Sequence, residues 1–228
     1  MSTSTNKTSI HNFYEHPPQD GQVKQLIFLL HGLGSNGRDL IALAPYFAAA
    51  LPQAHFVSPD APFACDMAPP GYPDSYQWFS LQSRDPRDML MGVRHAVPVL
   101  HGFMRQQMEH YNVTAQNCAL VGFSQGTMTS LSAAFAFDKP LAGVLGYSGA
   151  LLWDDALSER KDFPKPPVHL IHGEADDVVP VGAFHTAKAM LEGAGVPFSG
   201  YTVPGLPHSI DEGGIASGAE FLKSVFNR

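Results

Sequence analysis

The pentapeptide Gly122-Phe123-Ser124-Gln125-Gly126 constrains this chain more than any other feature, because it lies between an apolar run at 117–121 and a small-residue run at 127–137. A strand that turns at once into a helix forces strained dihedrals on the corner residue, and a glycine two places to either side leaves room for the crossing. Ser124 at such a corner stands alone at the carboxyl end of a strand, beside the first amides of the next helix, as a nucleophile would. With 21 glycines in 228 residues, G-x-S-x-G arises by accident in roughly one chain of seven, so the rest of the sequence must carry the reading.

The rest alternates strand and helix patterns. Continuous apolar runs of strand length occur at 23–30, 54–58, 117–121, 141–147, 168–171 and 197–203, as expected for parallel strands covered on both faces. Between them lie helix patterns at 38–51, 85–111, 127–137, 181–195 and 211–226, the second interrupted by Pro98, which either kinks or splits it. Such alternation predicts an α/β fold with a mostly parallel sheet and helices on both faces. Residues 1–21 read as a flexible or edge-strand arm, and 22–228 as a single domain. Residues 61–83 are aperiodic, rich in proline and aromatics, and read equally as a binding wall or as core filling.

In such a sheet, function gathers in the loops beyond the strands' carboxyl ends. A serine hydroxyl needs a base, and the base a carboxylate to orient it. With the chain order Ser, acid, His, the bases left are His185 and His208. His185 falls inside a helix pattern, whereas His208 sits in a Gly- and Pro-bounded loop after the last strand. Glu174, Asp176 and Asp177 share the loop after 168–171; Asp176 is the first choice and Asp177 the reserve, since a carboxylate at a helix start is also explained by the helix dipole. The amides of Gln125 and, from the loop after the first strand, Leu33 are the candidate oxyanion donors.

That first loop also reads Gly32-x-Gly34-x-x-Gly37, with Asp60 at the end of the next strand, which is the fingerprint of a dinucleotide-dependent oxidoreductase. The rival leaves the elbow and the acid and histidine loops unexplained. A metal site is weaker still: His169 and His172 face opposite sides of one strand. A net charge of −7 with no basic block argues against nucleic acid and anionic membranes as partners. Cys65 and Cys118 imply no disulfide framework. No signal peptide or membrane span is visible, so a cytoplasmic protein without stable membrane insertion is expected.

From about Leu26 onward the chain resembles the carboxylesterase and acyl-protein thioesterase (phospholipase/carboxylesterase) group of the α/β-hydrolase fold. The likeness rests on Leu30-His31-Gly32-Leu33-Gly34, Asp60-Ala61-Pro62, Trp78-Phe79, the elbow, Ser148-Gly149, His172-Gly173-x-x-Asp176-x-x-Val179-Pro180 and Gly205-x-x-His208. The resemblance implies Ser124 as nucleophile, Asp176 rather than Asp177 as acid, His208 as base, and the Leu33 and Gln125 amides as oxyanion hole. It further implies a carboxylesterase acting on short- to medium-chain esters, or alternatively an acyl-protein thioesterase or lysophospholipase, with no cofactor. A small-molecule ester is the expected partner, and a homodimer the assembly the group suggests. Thr127, where a glycine is common, and Ser80, where an aspartate is frequent, depart from the pattern. Tyr72, Trp78 and Phe79 of the aromatic loop, with Leu152 and Trp153, are the expected walls of an apolar acyl pocket.

Overall fold

The computed structural model describes residues 9–159 and 162–227. In chain order the first elements are β1 (Phe13–His16), β2 (Gln25–Leu30), α1 (Gly37–Leu40), α2 (Ala44–Ala48) and β3 (Ala54–Pro59). Two short strands, β4 (Phe63–Ala64) and β5 (Tyr76–Gln77), pair antiparallel within the stretch read as aperiodic. Then come α3 (Pro86–Tyr111), β6 (Cys118–Phe123), α4 (Gln125–Ala136), β7 (Gly143–Tyr147) and α5 (Asp155–Ser158). The last elements are β8 (Val168–Gly173), α6 (Gly182–Gly193), β9 (Phe198–Val203) and α7 (Glu212–Phe226).

Seven strands form one sheet in the order β1-β3-β2-β6-β7-β8-β9. Every neighbouring pair is parallel except the edge pair β1 and β3. The apolar runs are continuous because alternate residues serve opposite faces. Leu26, Phe28 and Leu30 of β2 join the cluster under α3, α4 and α6, while Ile27 and Leu29 join Phe47 and Leu222 under α2 and α7. Each such side chain contributes about 1.5–3 kcal/mol by leaving water.

Two proline-bearing segments differ from a simple periodic reading. The helix expected over 38–51 is α1, a 3₁₀ turn over Ile41–Leu43, and α2. Pro45 sits at the start of α2, where its missing N–H and its ring bar a continuous helix through the preceding turn. Pro98, in contrast, leaves α3 unbroken through 26 residues. It lies on the exposed side of the helix, where water can satisfy the Arg94 carbonyl that a helical N–H would otherwise bond.

The edge strand β1 is tied to the body by Glu15, whose Oε1 accepts from the Tyr111 hydroxyl at 2.8 Å and meets His55 Nε2 at 2.9 Å. Burial pushes the Glu15 carboxyl up, but the His55 and Tyr111 hydrogen bonds outweigh it and hold the group below the usual range. Among the described residues no helix is long and apolar enough to cross a membrane.

Two weak acids, the buried Cys118 and the half-buried Tyr111, make the fold sensitive to base. Burial pushes the Cys118 thiol from an ordinary 9.0 up to about 12, and burial, then the bond to Glu15, raises Tyr111 from 10.0 to about 12. The unfolded chain releases these protons first, so stability is full below pH 9 and falls as pH rises toward 12. Cys118 alone should contribute a slope of about 1.4 kcal/mol per pH unit across that window. Urea unfolding followed over the same range should show a shallower decline in Cys118→Ala than in the native chain; equal slopes would refute the assignment.

Candidate active site

Ser124 stands between β6 and α4 with φ 54° and ψ −117°, a conformation that costs an L-residue on the order of 1–3 kcal/mol. It is held there by its N–H donating to the Tyr147 carbonyl at 2.9 Å and by its carbonyl accepting from Thr127 N at 3.0 Å. The flanking glycines are required by space. A Cβ at Gly126 would overlap the Leu30 carbonyl oxygen of β2, and one at Gly122 would overlap the Thr127 amide.

Thr127, the departure from the family pattern, is built into the elbow. Its hydroxyl lies 2.8 Å from the Gly122 carbonyl and 2.9 Å from that of Tyr147, and accepts from Tyr147 N at 3.1 Å. One proton serves both carbonyls in turn. Its side chain occupies the space that a Cβ on Gly146 or Gly149 would need, so those glycines of the β7 segment accommodate it.

The acid and histidine loops are zipped together by Ala175 N–H donating to the Leu206 carbonyl at 3.0 Å and Glu174 N–H to that of Val203 at 2.9 Å. This brings His208 Nδ1 to 2.7 Å from Asp176 Oδ2, whose side chain is fully enclosed. The other oxygen, Oδ1, accepts from the Val178 and Val179 amides at 3.0 and 2.8 Å. Burial pushes the Asp176 carboxyl up, yet the His208 bond and the Val179 amide, followed by the His208 charge and the Val178 amide, bring it below its ordinary value. It is therefore ionised at neutral pH, which keeps the ring proton of His208 on Nδ1 and Nε2 free to accept. Glu174 and Asp177 of the same loop are exposed, and Glu174 accepts from the Thr202 hydroxyl at 2.7 Å. The imidazole of His208 lies against Phe123, ring centroids 4.8 Å apart, one residue from Ser124. His185, on α6, is exposed, with its ring against Phe184.

The loop after β2 closes on the same rim. A Cβ at Gly32 would lie 3.3 Å from Ser124 Cβ, so Leu33 follows directly beside the serine, and its amide has no partner among the described residues. The Gln125 amide, at the first position of α4, is free of helical bonding. His31 fixes the loop from within: Ala61 N–H donates to Nε2 at 2.9 Å, so the proton sits on Nδ1 and donates to the Gly32 carbonyl at 2.7 Å. Burial depresses the His31 pKa, keeping the ring neutral.

The aromatic positions divide. Trp78 and Phe79 are enclosed rather than lining open space: the Trp78 indole donates to the His31 carbonyl at 3.0 Å, and the Gln125 side chain accepts from Trp78 N at 2.9 Å and donates to Phe79 O at 2.8 Å. Both brace the loop after β2 and the start of α4 from behind. Tyr72 is exposed in a separate surface groove with Asn36, Arg38 and Pro73. Trp153 and Leu152 line a cavity of about 280 Å³ between α3 and α4 that includes Ser132; eight helical residues, about 12 Å, separate Ser132 from Ser124. Ser124 lines neither of these two hollows. The side chains of Gln125, Thr127, His31 and His172, the last donating to the Val179 carbonyl at 2.7 Å, support the site without having been marked by spacing.

The dinucleotide reading fails on the same loop. Asp60 Oδ1 accepts from Gly37 N at 2.7 Å and Oδ2 from Asn12 Nδ2 at 2.6 Å, so the amide a pyrophosphate would use is already taken, and α1 is only four residues long. Among the described residues no group of three His, Cys, Asp or Glu is arranged to hold a metal ion.

Residues 16–226 match the phospholipase/carboxylesterase family. The chain belongs to that family. It is thereby a carboxylic ester hydrolase of α/β-hydrolase fold. The crystal structure of esterase PE8 superposes with a TM-score of 0.86 at 35% identity, covering 96% of this chain and 99% of that one. Esterase YpfH of Escherichia coli is 28% identical over 201 residues, 88% of this chain and 83% of its own. Acyl-protein thioesterase 1 of Kluyveromyces lactis is 29% identical over 180 residues, 74% of this chain and 77% of its own.

The elbow geometry predicts that Thr127→Val, similar in size but without the hydroxyl, loses the buried hydrogen bonds to the Gly122 and Tyr147 carbonyls and costs about 0.5–1.5 kcal/mol in chemical denaturation. Thr127→Ser should keep most of that stability. Equal stability of Val and Ser variants would show the hydrogen bonds to be incidental.

Proposed function

We propose that this chain is a serine carboxylesterase for short- to medium-chain esters, with Ser124 as nucleophile, His208 as general base and acid, and Asp176 as the orienting carboxylate. The observation that carries the reading is the 2.7 Å bond between His208 Nδ1 and the buried, ionised Asp176, on the rim where Ser124 holds its strained conformation. His208 Nε2 takes the Ser124 proton as Oγ bonds to the ester carbonyl carbon. The oxyanion is received by the Leu33 and Gln125 amides, each worth about 2.7–4 kcal/mol of barrier. The bond to the alcohol breaks with the proton passing from His208 to the leaving oxygen, and water then repeats the steps on the acyl-enzyme.

The second reading, an acyl-protein thioesterase, is favoured by curated relatives bearing that name. The esterase reading is favoured by esterase PE8, a structural neighbour that covers nearly the whole chain at 35% identity.

A chain-length series of nitrophenyl esters, with an acyl thioester beside it, separates the two. Ester turnover should exceed thioester turnover, and Ser124→Ala should lower kcat by roughly four orders of magnitude or more. Asp176→Asn, which removes the acceptor that fixes the His208 tautomer, should cost roughly four orders as well. A Ser124→Ala protein retaining a tenth of native activity would end the proposal.

A further inference from the structure

A groove of about 450 Å³ opens on His208 and Phe123 and runs outward between the α1–α2 segment and the start of α7. Its walls are Leu40, Leu43 and Tyr46 on one side and Ile210 and Ile215 on the other. Apart from His208, Asp39 is its only charged residue; Asp39 accepts from the Ser35 hydroxyl at 2.7 Å and is exposed. Tyr46 is 62% exposed, a large aromatic side chain left in water beside the catalytic loops. Apart from His208, none of these residues takes part in the chemistry described above.

The chemistry fixes which half of a substrate this groove can face. The carbonyl oxygen goes to the Leu33 and Gln125 amides, while the leaving oxygen must lie within reach of His208, which protonates it as the acyl bond passes from that oxygen to Ser124 Oγ. The alcohol therefore departs on the histidine's side. We infer that the groove beside His208 is the leaving-group subsite, and that it selects esters of bulky, apolar, uncharged alcohols. The inference rests on the esterase reading. Its apolar walls reward a buried ring, whereas Asp39 and the chain's net charge of −7 oppose an anionic leaving group such as a phosphorylated thiol.

Methyl, benzyl and 4-carboxybenzyl butyrate give the same acyl-enzyme, and methanol and benzyl alcohol are of nearly equal acidity, so differences in kcat/KM among them report on leaving-group contacts. Benzyl butyrate should exceed methyl butyrate by roughly tenfold or more, as expected for burying one ring. The 4-carboxybenzyl ester should fall below benzyl. Tyr46→Ala and Ile215→Ala should each lower the benzyl-to-methyl ratio about threefold to tenfold, and Asp39→Asn should raise the 4-carboxybenzyl rate relative to benzyl. Hydrolysis that requires Ser124 but shows no benzyl preference, or a preference surviving both truncations, overturns the groove assignment alone. Absence of hydrolysis, or hydrolysis undiminished in Ser124→Ala, overturns the esterase reading and the groove with it.

Discussion

Everything at the rim depends on how closely the start of α4 passes over the end of β2. The backbone at Gly126 lies so near the Leu30 carbonyl that no side chain fits between them. That approach draws the residue before α4 and the loop after β2 to one point, which is why Gly32 comes against Ser124. It also traps Ser124 in its left-handed backbone conformation, because relaxing it would separate α4 from the sheet. The one to three kcal/mol of strain is small against the burial that opposes its release: Leu30 and Val121 beside the crossing are essentially inaccessible to water.

A second constraint is electrostatic. An enclosed carboxylate without partners would take up a proton, since burial alone raises its pKa. Asp176 escapes this because three N–H donors converge on it, two from its own loop and one from His208. Two histidines nearby add orientation. His31 spends both ring nitrogens on backbone partners, and His172 braces the Val179 carbonyl whose amide serves Asp176. The carboxylate that settles beside His208 is thus the one whose loop supplies amides, and Asp177, pointing into water, has none of them.

The sequence displayed what is local. The elbow reads from glycine spacing, the strands from runs that must serve two faces, and His208 from a loop after the last strand. What stayed hidden is what distant segments do to one another. The Gln125 side chain meets Trp78 and Phe79 across 47 and 46 positions, so the tryptophan that the aromatic loop offered as a pocket wall is enclosed as a brace. Proline illustrates the same limit. Pro45 and Pro98 are equally poor helix residues in isolation, but one divides its helix and the other does not, because position in the helix and exposure to water decide where the lost hydrogen bond goes.

The aromatic loop shows how these distant bonds set the range of motion. Gly34 N–H donates to the Tyr76 carbonyl at 2.8 Å and Tyr76 N–H to that of Ser35 at 2.9 Å, while the Gln125 side chain holds Trp78 and Phe79. Lifting residues 75–79 would break several buried hydrogen bonds together, each leaving a polar group unsatisfied at about 1–3 kcal/mol. The same segment cannot then swing as a lid without dismantling the loop after β2 that it supports. Residues 67–73, exposed apart from Ala68 and tied within by short turns, bear no such load. Local opening favours segments with few buried bonds, so this tip opens more readily than residues 75–79.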